Sequence, residues 1–302
     1  MIFRLFRRRR TRAAEAVAWQ RARPSQSREP ASVAIDGRRY LTQFPYALPK
    51  DGQEINRLDF QHFLLRQALA GNYLAPIGLF PTRILDVGCG TGRWGREMAR
   101  QFPLTTVIGL DLEEMATSQH PSGTLNYQFA RGNVLEPLPF PDDDFDFVHQ
   151  RLLVAAIPAQ RWPEIIRELA RVTRHNGWIE LVECGVEVVR LGPLTRQFFS
   201  WGIEASASRG LDARVIPQLG DYLREAGLRD VRARAVDIPI GEWGGRVGVM
   251  MKENLLSAFS SLKTLYTQRG SEDDFASLMQ ELPAEWEHHQ SLYRFYVFYG
   301  KK

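Results

Sequence analysis

Four residues in the stretch "ILDVGCGTGRWG" have the types and spacing to grip a small charged ligand: Asp86, then Gly88, Gly90 and Gly92 at alternate positions. A carboxylate ends an apolar run, and peptide almost bare of side chains follows at once. Glycine lets backbone approach a ligand closely, and the acid sets a fixed negative charge beside it. Two more polar residues recur at comparable places: Asp111 closes "VIGLD", 25 residues after Asp86, and Asn133 follows "FARG".

Three ligand chemistries compete for such a loop. A nucleoside triphosphate wants Lys and then Ser or Thr after the glycines, but Arg93 and Trp94 stand there. A dinucleotide wants G-x-G-x-x-G with its pyrophosphate on the helix N-terminus. Here Arg93 replaces the third glycine, and Asp86 would repel the phosphates. A ligand bearing an ammonium and a sulfonium suits the carboxylate, and S-adenosylmethionine is such a ligand. On that expectation Gly88, Cys89, Gly90 and Gly92 bring backbone to its amino-acid end, and Asp86 supplies negative charge. Asp111 accepts from the ribose hydroxyls, Leu112 packs on adenine, and Asn133, next to Val134, accepts from the adenine amino group. Each residue also has a plainer reading. A strand-end acid is often a helix cap, and Asn before a Pro-rich turn is often a turn former. The spacing of the three together favours the ligand.

These residues need a scaffold that brings strand ends together. Apolar runs predict strands at 84–87, 106–110, 125–129, 145–149, 178–182 and 231–238, with a last one in "LYRFYVFYG". Helical patterns cover 93–101, 162–174 and 217–226, and a mainly helical stretch runs over about 246–290. "HNG" after the second of these suggests a left-handed cap at Gly177. Alternation of this kind implies an α/β doubly wound sheet. Ligands in such sheets bind beyond the carboxyl ends of the strands, at the switch point, where the 86–92 loop belongs. Ahead of the core, 51–74 reads as a helix with Ile55, Leu58, Leu65 and Leu69 on one stripe and His62 between them. Asp51 is its expected N-cap, with Glu54 three residues on.

The segments "ILDVGCGTGRWG", "VIGLDL", "GNVLEPLPFPDDDFDFVHQR" and "IIRELARVTRHNGWIELVE" resemble the successive motifs of class I methyltransferases, over roughly 80–185. The flanks resemble a subgroup that includes the velvet-complex regulators of fungal secondary metabolism and bacterial relatives. Its helix motif is matched by Leu48, Pro49, Asp51, Glu54, Arg57, Leu58, Gln61 and His62. The resemblance implies a seven-stranded, mostly parallel sheet, S-adenosylmethionine as cofactor, a helical cap over 36–80, and a methyltransferase domain over 81–302 with its helical insertion before the last strand. Asn133 stands where many class I enzymes carry Asp; the acceptor is kept and the charge is lost.

The expected activity is methyl transfer to O, N or C of a small, partly apolar metabolite. Positioning of a nucleophile can supply roughly 7–11 kcal/mol, so a general base is optional. Candidates for one are His149, His62 and Glu183; His149 otherwise contributes backbone beside the cofactor's methionine end. Arg57 is offered as a partner for the methionine carboxylate or an inner acid, with a surface helix salt bridge as the equal alternative. The acceptor pocket is expected from 192–211, with Phe198, Phe199 and Trp201, or from the 246–290 insertion. A cofactor-binding regulatory or scaffold protein with little turnover is the alternative function.

Totals bound the rest. With 44% apolar and 25% charged residues among 302, the composition is that of a soluble globular chain. No apolar run reaches the roughly 18–20 residues that span a bilayer. Two cysteines and scattered histidines make neither a disulfide framework nor a metal site, and favour a reducing, cytoplasmic setting. Residues 1–30 hold nine arginines against two glutamates, so the remainder of a +4 chain carries −3. That argues against a nucleic-acid substrate. So does "HQRL" after the fourth strand, where such enzymes carry an "NPPY"-like tetrad. The basic tail, 1–35, is expected to be solvated, with an anionic surface or an organelle presequence as its other readings.

Overall fold

The computed structural model describes residues 30–46, 48–115, 125–267 and 271–302. The chain divides into Met1–Ala31 and Ser32–Lys302; the readings made for the tail fall almost wholly outside the described residues. The second unit opens with β1 (Ser32–Ile35) and β2 (Arg38–Leu41), an antiparallel hairpin absent from the sequence reading. Its turn is Asp36-Gly37, both at positive φ, the Asp-Gly signal of a tight hairpin. Helix α1 (Gly52–Ala68) follows. Asp51 caps it by accepting from Glu54 N, as expected, but the most buried residues of its first half are Glu54 and Arg57 rather than Ile55 and Leu58.

The core then runs β3 (Arg83–Val87), α2 (Arg93–Gln101), β4 (Thr106–Asp111), β5 (Tyr127–Arg131), β6 (Phe145–Arg151), α3 (Trp162–Val172) and β7 (Thr173–Val189). Next come α4 (Pro193–Ala207), α5 (Leu219–Glu225) and β8 (Arg229–Pro239). The insertion comprises α6 (Gly245–Ser260), α7 (Lys263–Tyr266) and α8 (Glu272–His289), and β9 (Leu292–Lys301) closes the chain. The seven core strands form one sheet in the order β5-β4-β3-β6-β7-β9-β8. β3 to β7 pair in parallel, and β9 lies antiparallel between β7 and β8. This is the doubly wound, mostly parallel architecture expected.

Parallel strands with helices on both faces must be apolar along their length. "RILDV" in β3 obeys this, with its last four residues buried. The strand order reverses between β3 and β6, so their carboxyl ends border the ligand crevice of such a sheet. The third core strand starts two residues later than read, leaving Leu125 exposed before it. Helix α3 ends at Val172, and the left-handed residue of "HNG" is Asn176, not Gly177. Asn tolerates that conformation. Gly177 is needed for a different reason: a Cβ there would press within 3.0 Å of Arg174 O, Asp146 O and the Thr173 methyl.

The insertion packs α4, α6 and α8 into one apolar cluster around Phe198 and Trp286. Phe198 is fully buried between Phe259 and Tyr266, with ring centroids 3.9 and 4.4 Å away. "GEWGGRVG" fits a crowded turn: a Cβ on Gly248 would strike Gly241 O, and Gly241 takes φ 116°. Among the described residues no helix is long and apolar enough to cross a membrane, and no cluster of His, Cys, Asp or Glu has a metal-holding arrangement.

Candidate active site

A cavity of about 240 Å³ opens where the sequence placed the site, at the carboxyl ends of β3, β4 and β6. Arg57, Asp86, Gly88, Cys89, Gly90, Asp111, Leu112, Asn133 and Val134 all line it; Gly92 and His149 do not. The glycine loop has the left-handed conformation its composition anticipates, with φ of 67°, 53° and 70° at Gly88, Gly90 and Gly92. A Cβ on Gly88 would sit 2.5 Å from Leu153 Cδ2. At Gly92 it would meet the Tyr127 hydroxyl and Arg96, so that glycine serves the packing behind the loop. Gly90 is the open one, where a Cβ would find only Leu58, 3.6 Å away. The Cys89 thiol is buried, with the Tyr127 hydroxyl 3.8 Å from Sγ, and burial raises it well above its ordinary value.

Asp86 is 3% exposed, and one of its oxygens has no partner. Oδ1 lies 3.1 Å from His149 Nδ1, while buried Oδ2 accepts nothing. A bare buried carboxylate oxygen is costly. A ligand ammonium would satisfy it, so the residues present fit a zwitterionic ligand. A carboxylate can only accept, so His149 carries its proton on Nδ1. Burial lowers the imidazole below its ordinary pKa, with Asp86 opposing the shift, and the ring stacks on Trp94 at 3.9 Å. His149 thus sits behind Asp86 and Trp94, both of which line the cavity, and is not positioned to take an acceptor's proton. Its observed contacts orient Asp86.

Asp111 accepts at both oxygens: Oδ1 from Lys50 Nζ at 3.0 Å and Leu112 N at 2.8 Å, Oδ2 from Gly90 N at 2.8 Å. Oδ2 keeps a lone pair for a ligand hydroxyl. Lys50 is 7% exposed, a buried ammonium at the cavity wall that the sequence reading missed. Its signal was a cation directly after "LP", next to the helix cap. Asn133 Oδ1 accepts from Leu135 N at 3.0 Å, forming the turn foreseen as its plainer role, with its second lone pair left over.

Arg57 is buried and spends three of its five donors. Its guanidinium forks onto Glu54, with Nε 2.8 Å from Oε2, and donates to Asn254 Oδ1 of α6 at 3.3 Å. This is the inner-acid alternative, and it ties α1 to the insertion. His62 packs beneath, its Nδ1 3.2 Å from Arg151 Nη2. His62 Nε2 lies 3.1 Å from Glu97 Oε2 without hydrogen-bond geometry; burial lowers this imidazole's pKa, with Glu97 opposing the shift. Glu183 lies under the 152–154 turn, accepting from Leu153 N and Val154 N; it supports the cavity floor and does not face the cavity.

Beyond the glycine loop the cavity is lined by Tyr46, Cys184, Leu255, Phe259, Tyr293 and Phe295. Its apolar wall comes from the insertion and β9. The 192–211 segment contributes no lining residue, because Phe198 is spent in the core.

Residues 84–177 match a family described as a methyltransferase domain. The N-methyltransferase sirN of Leptosphaeria maculans is 30% identical over 275 residues, covering 87% of this chain and 96% of that protein. The secondary metabolism regulator laeA of Aspergillus flavus is 30% identical over 209 residues, 66% of this chain and 54% of that protein. Among solved structures, the cyclopropane synthase MmaA2 of Mycobacterium tuberculosis has a TM-score of 0.51 at 15% identity, over 79% of this chain and 82% of that one, a likeness of fold. Kinship over nearly the whole length of sirN, joined to this sheet order and this loop, shows that the chain belongs to the class I S-adenosylmethionine-dependent methyltransferases.

Proposed function

We propose that the chain methylates a small, partly apolar acceptor at O, N or C. One observation carries this: the cavity that begins at the glycine loop runs on into an apolar chamber roofed by α1 and α6. A pocket lined in that way suits a compact, partly apolar molecule. The named function of sirN as an N-methyltransferase agrees with it. In this reading Asp86 holds the cofactor's ammonium, Asp111 a ribose hydroxyl, and Leu112, Asn133 and Val134 border the adenine.

The cofactor supplies a methyl already activated on a positive sulfur. The chain binds it, aims the acceptor and excludes water. Tyr46, Phe259 and Phe295 offer flat apolar walls, and the Arg57–Glu54–Asn254 array is a rigid polar edge against which an acceptor can be oriented. Among the described residues no side chain lining the pocket is placed as a strong base, which suits an acceptor that needs none. The name of laeA as a regulator supports the second reading, a cofactor-binding protein with little turnover.

The test uses methyl-labelled cofactor and a cell extract split into small-molecule, protein and RNA fractions. Label in the small-molecule fraction is the expected result, and label only in protein or RNA overturns the reading. Tight cofactor binding with no transfer to any fraction favours the regulatory reading.

A further inference from the structure

Arg151 ends β6 at the cavity and has a contact pattern unlike the other arginines around it. Its guanidinium donates to His62 Nδ1 at 3.2 Å, and among the described residues no carboxylate lies within ion-pair distance of it. Burial works against its charge, and Asp86, Glu97, Glu180 and Glu183 offset this only from longer range. An arginine keeps its proton regardless, so a cation stands at the cavity wall with most of its donors unspent.

Its placement relative to Asp86 is set by the sheet. In the parallel pairing of β3 with β6, Asp86 faces His149 and Val87 faces Gln150. Arg151 therefore comes next, beside the start of the glycine loop. The cavity wall thus carries a carboxylate with one buried, unpaired oxygen on one strand and an under-used guanidinium on its neighbour. An α-amino acid end carries the complementary pair, an ammonium and a carboxylate on one carbon. Arg57, the residue the sequence offered for the carboxylate, already has its charge paired with Glu54 and a further donor on Asn254.

We propose that Arg151 anchors the carboxylate of the cofactor's methionine end opposite Asp86, with His62 of α1 holding the guanidinium in place. This rests on the assignment of S-adenosylmethionine to the cavity. His62 is a positioning residue, and through it the cap helix is coupled to the amino-acid half of the site. Arginine suits the task because its planar fork matches a carboxylate at two points.

The test is calorimetric titration of the full chain with three probes: S-adenosylhomocysteine, its decarboxylated analogue, and 5′-methylthioadenosine, which lacks the amino-acid end. The wild type should bind the decarboxylated analogue about ten- to a hundredfold more weakly than S-adenosylhomocysteine, the scale of a charged hydrogen bond. Arg151→Gln should lose a similar factor for S-adenosylhomocysteine and leave methylthioadenosine within about twofold, with Arg151→Lys recovering part of the loss. Equal affinity of the wild type for the homocysteine compound and its decarboxylated analogue overturns the proposal, and needs no variant to fold. So does an Arg151→Gln chain that binds all three probes as the wild type does, or loses them all alike. A wild type that binds none of the three removes the cofactor assignment itself, and the proposal with it.

Discussion

Asp111→Asn separates two jobs that one carboxylate performs. The side chain lines the cavity, and it also neutralises Lys50, whose Nζ lies 3.0 Å from Oδ1 with side-chain exposures of 7% and 10% for the pair. Asparagine keeps the volume but has one oxygen, so it accepts from Leu112 N or from Gly90 N and not from both, and it leaves a buried ammonium without counter-charge. Removing one partner of a buried pair costs about 3–5 kcal/mol. The pair borders the cavity, so the lower end, about 3 kcal/mol, is expected. For a chain of this size that is a fall in Tm of roughly 6–12 °C. Lys50→Met removes the charge and leaves Asp111 with two backbone donors, so it should cost much less. The double variant should then lose about 2 kcal/mol less than the sum of the singles, within the range for groups in contact. Urea unfolding at pH 7 of the four proteins gives the cycle directly. A coupling below about 0.5 kcal/mol would mean that Lys50 does not depend on Asp111, and the account of this wall would be wrong.

Gly88→Ala forces a side chain into φ 67° and against Leu153, so it should cost about 1–3 kcal/mol and weaken S-adenosylhomocysteine binding in calorimetry; wild-type values for both would refute the crowding described. Glu183 is pushed up to about 7 by burial, from an ordinary 4.5, so the folded state holds a proton that the unfolded state has released between those values. The stability it contributes is complete below pH 4.5 and is lost as pH rises through about 7. Glu183→Gln should therefore gain on the wild type across that window, by up to about 3 kcal/mol, and a difference that stays constant with pH contradicts it. Phe198→Ala should cost about 3–5 kcal/mol of stability yet leave cofactor affinity unchanged under conditions where the protein is folded; a selective loss of binding would return α4 to the pocket wall.

The site was legible in part for a definite reason. Asp86, the glycines and Asp111 belong to strand ends and the turn after one of them, and their chemistry follows from residue type plus a few bonds of chain. The same short range explains why Asp51 was recognised as a cap. It also explains what escaped. The β1–β2 hairpin is four residues a side, too short to show a period, and only its Asp-Gly turn signalled it. Phe198 and its neighbours have the composition of a pocket lining and of a core alike, and only packing against Phe259 and Tyr266 chose between them.

By itself the sequence determined the order of the seven core strands and of most helices between them, the glycine loop and the acids at the ends of β3 and β4, because backbone conformation and side-chain periodicity answer to neighbours along the chain. The tertiary structure alone decided which charges meet. Lys50 reaches Asp111 across 61 residues, and Arg57 meets Asn254 across 197. His149 is turned away from the cavity toward Asp86 and Trp94, and among the described residues Arg151 meets no acid within ion-pair distance. A buried charge takes whichever partner the packed helices bring within about 3 Å, and no local stretch of sequence carries that distance.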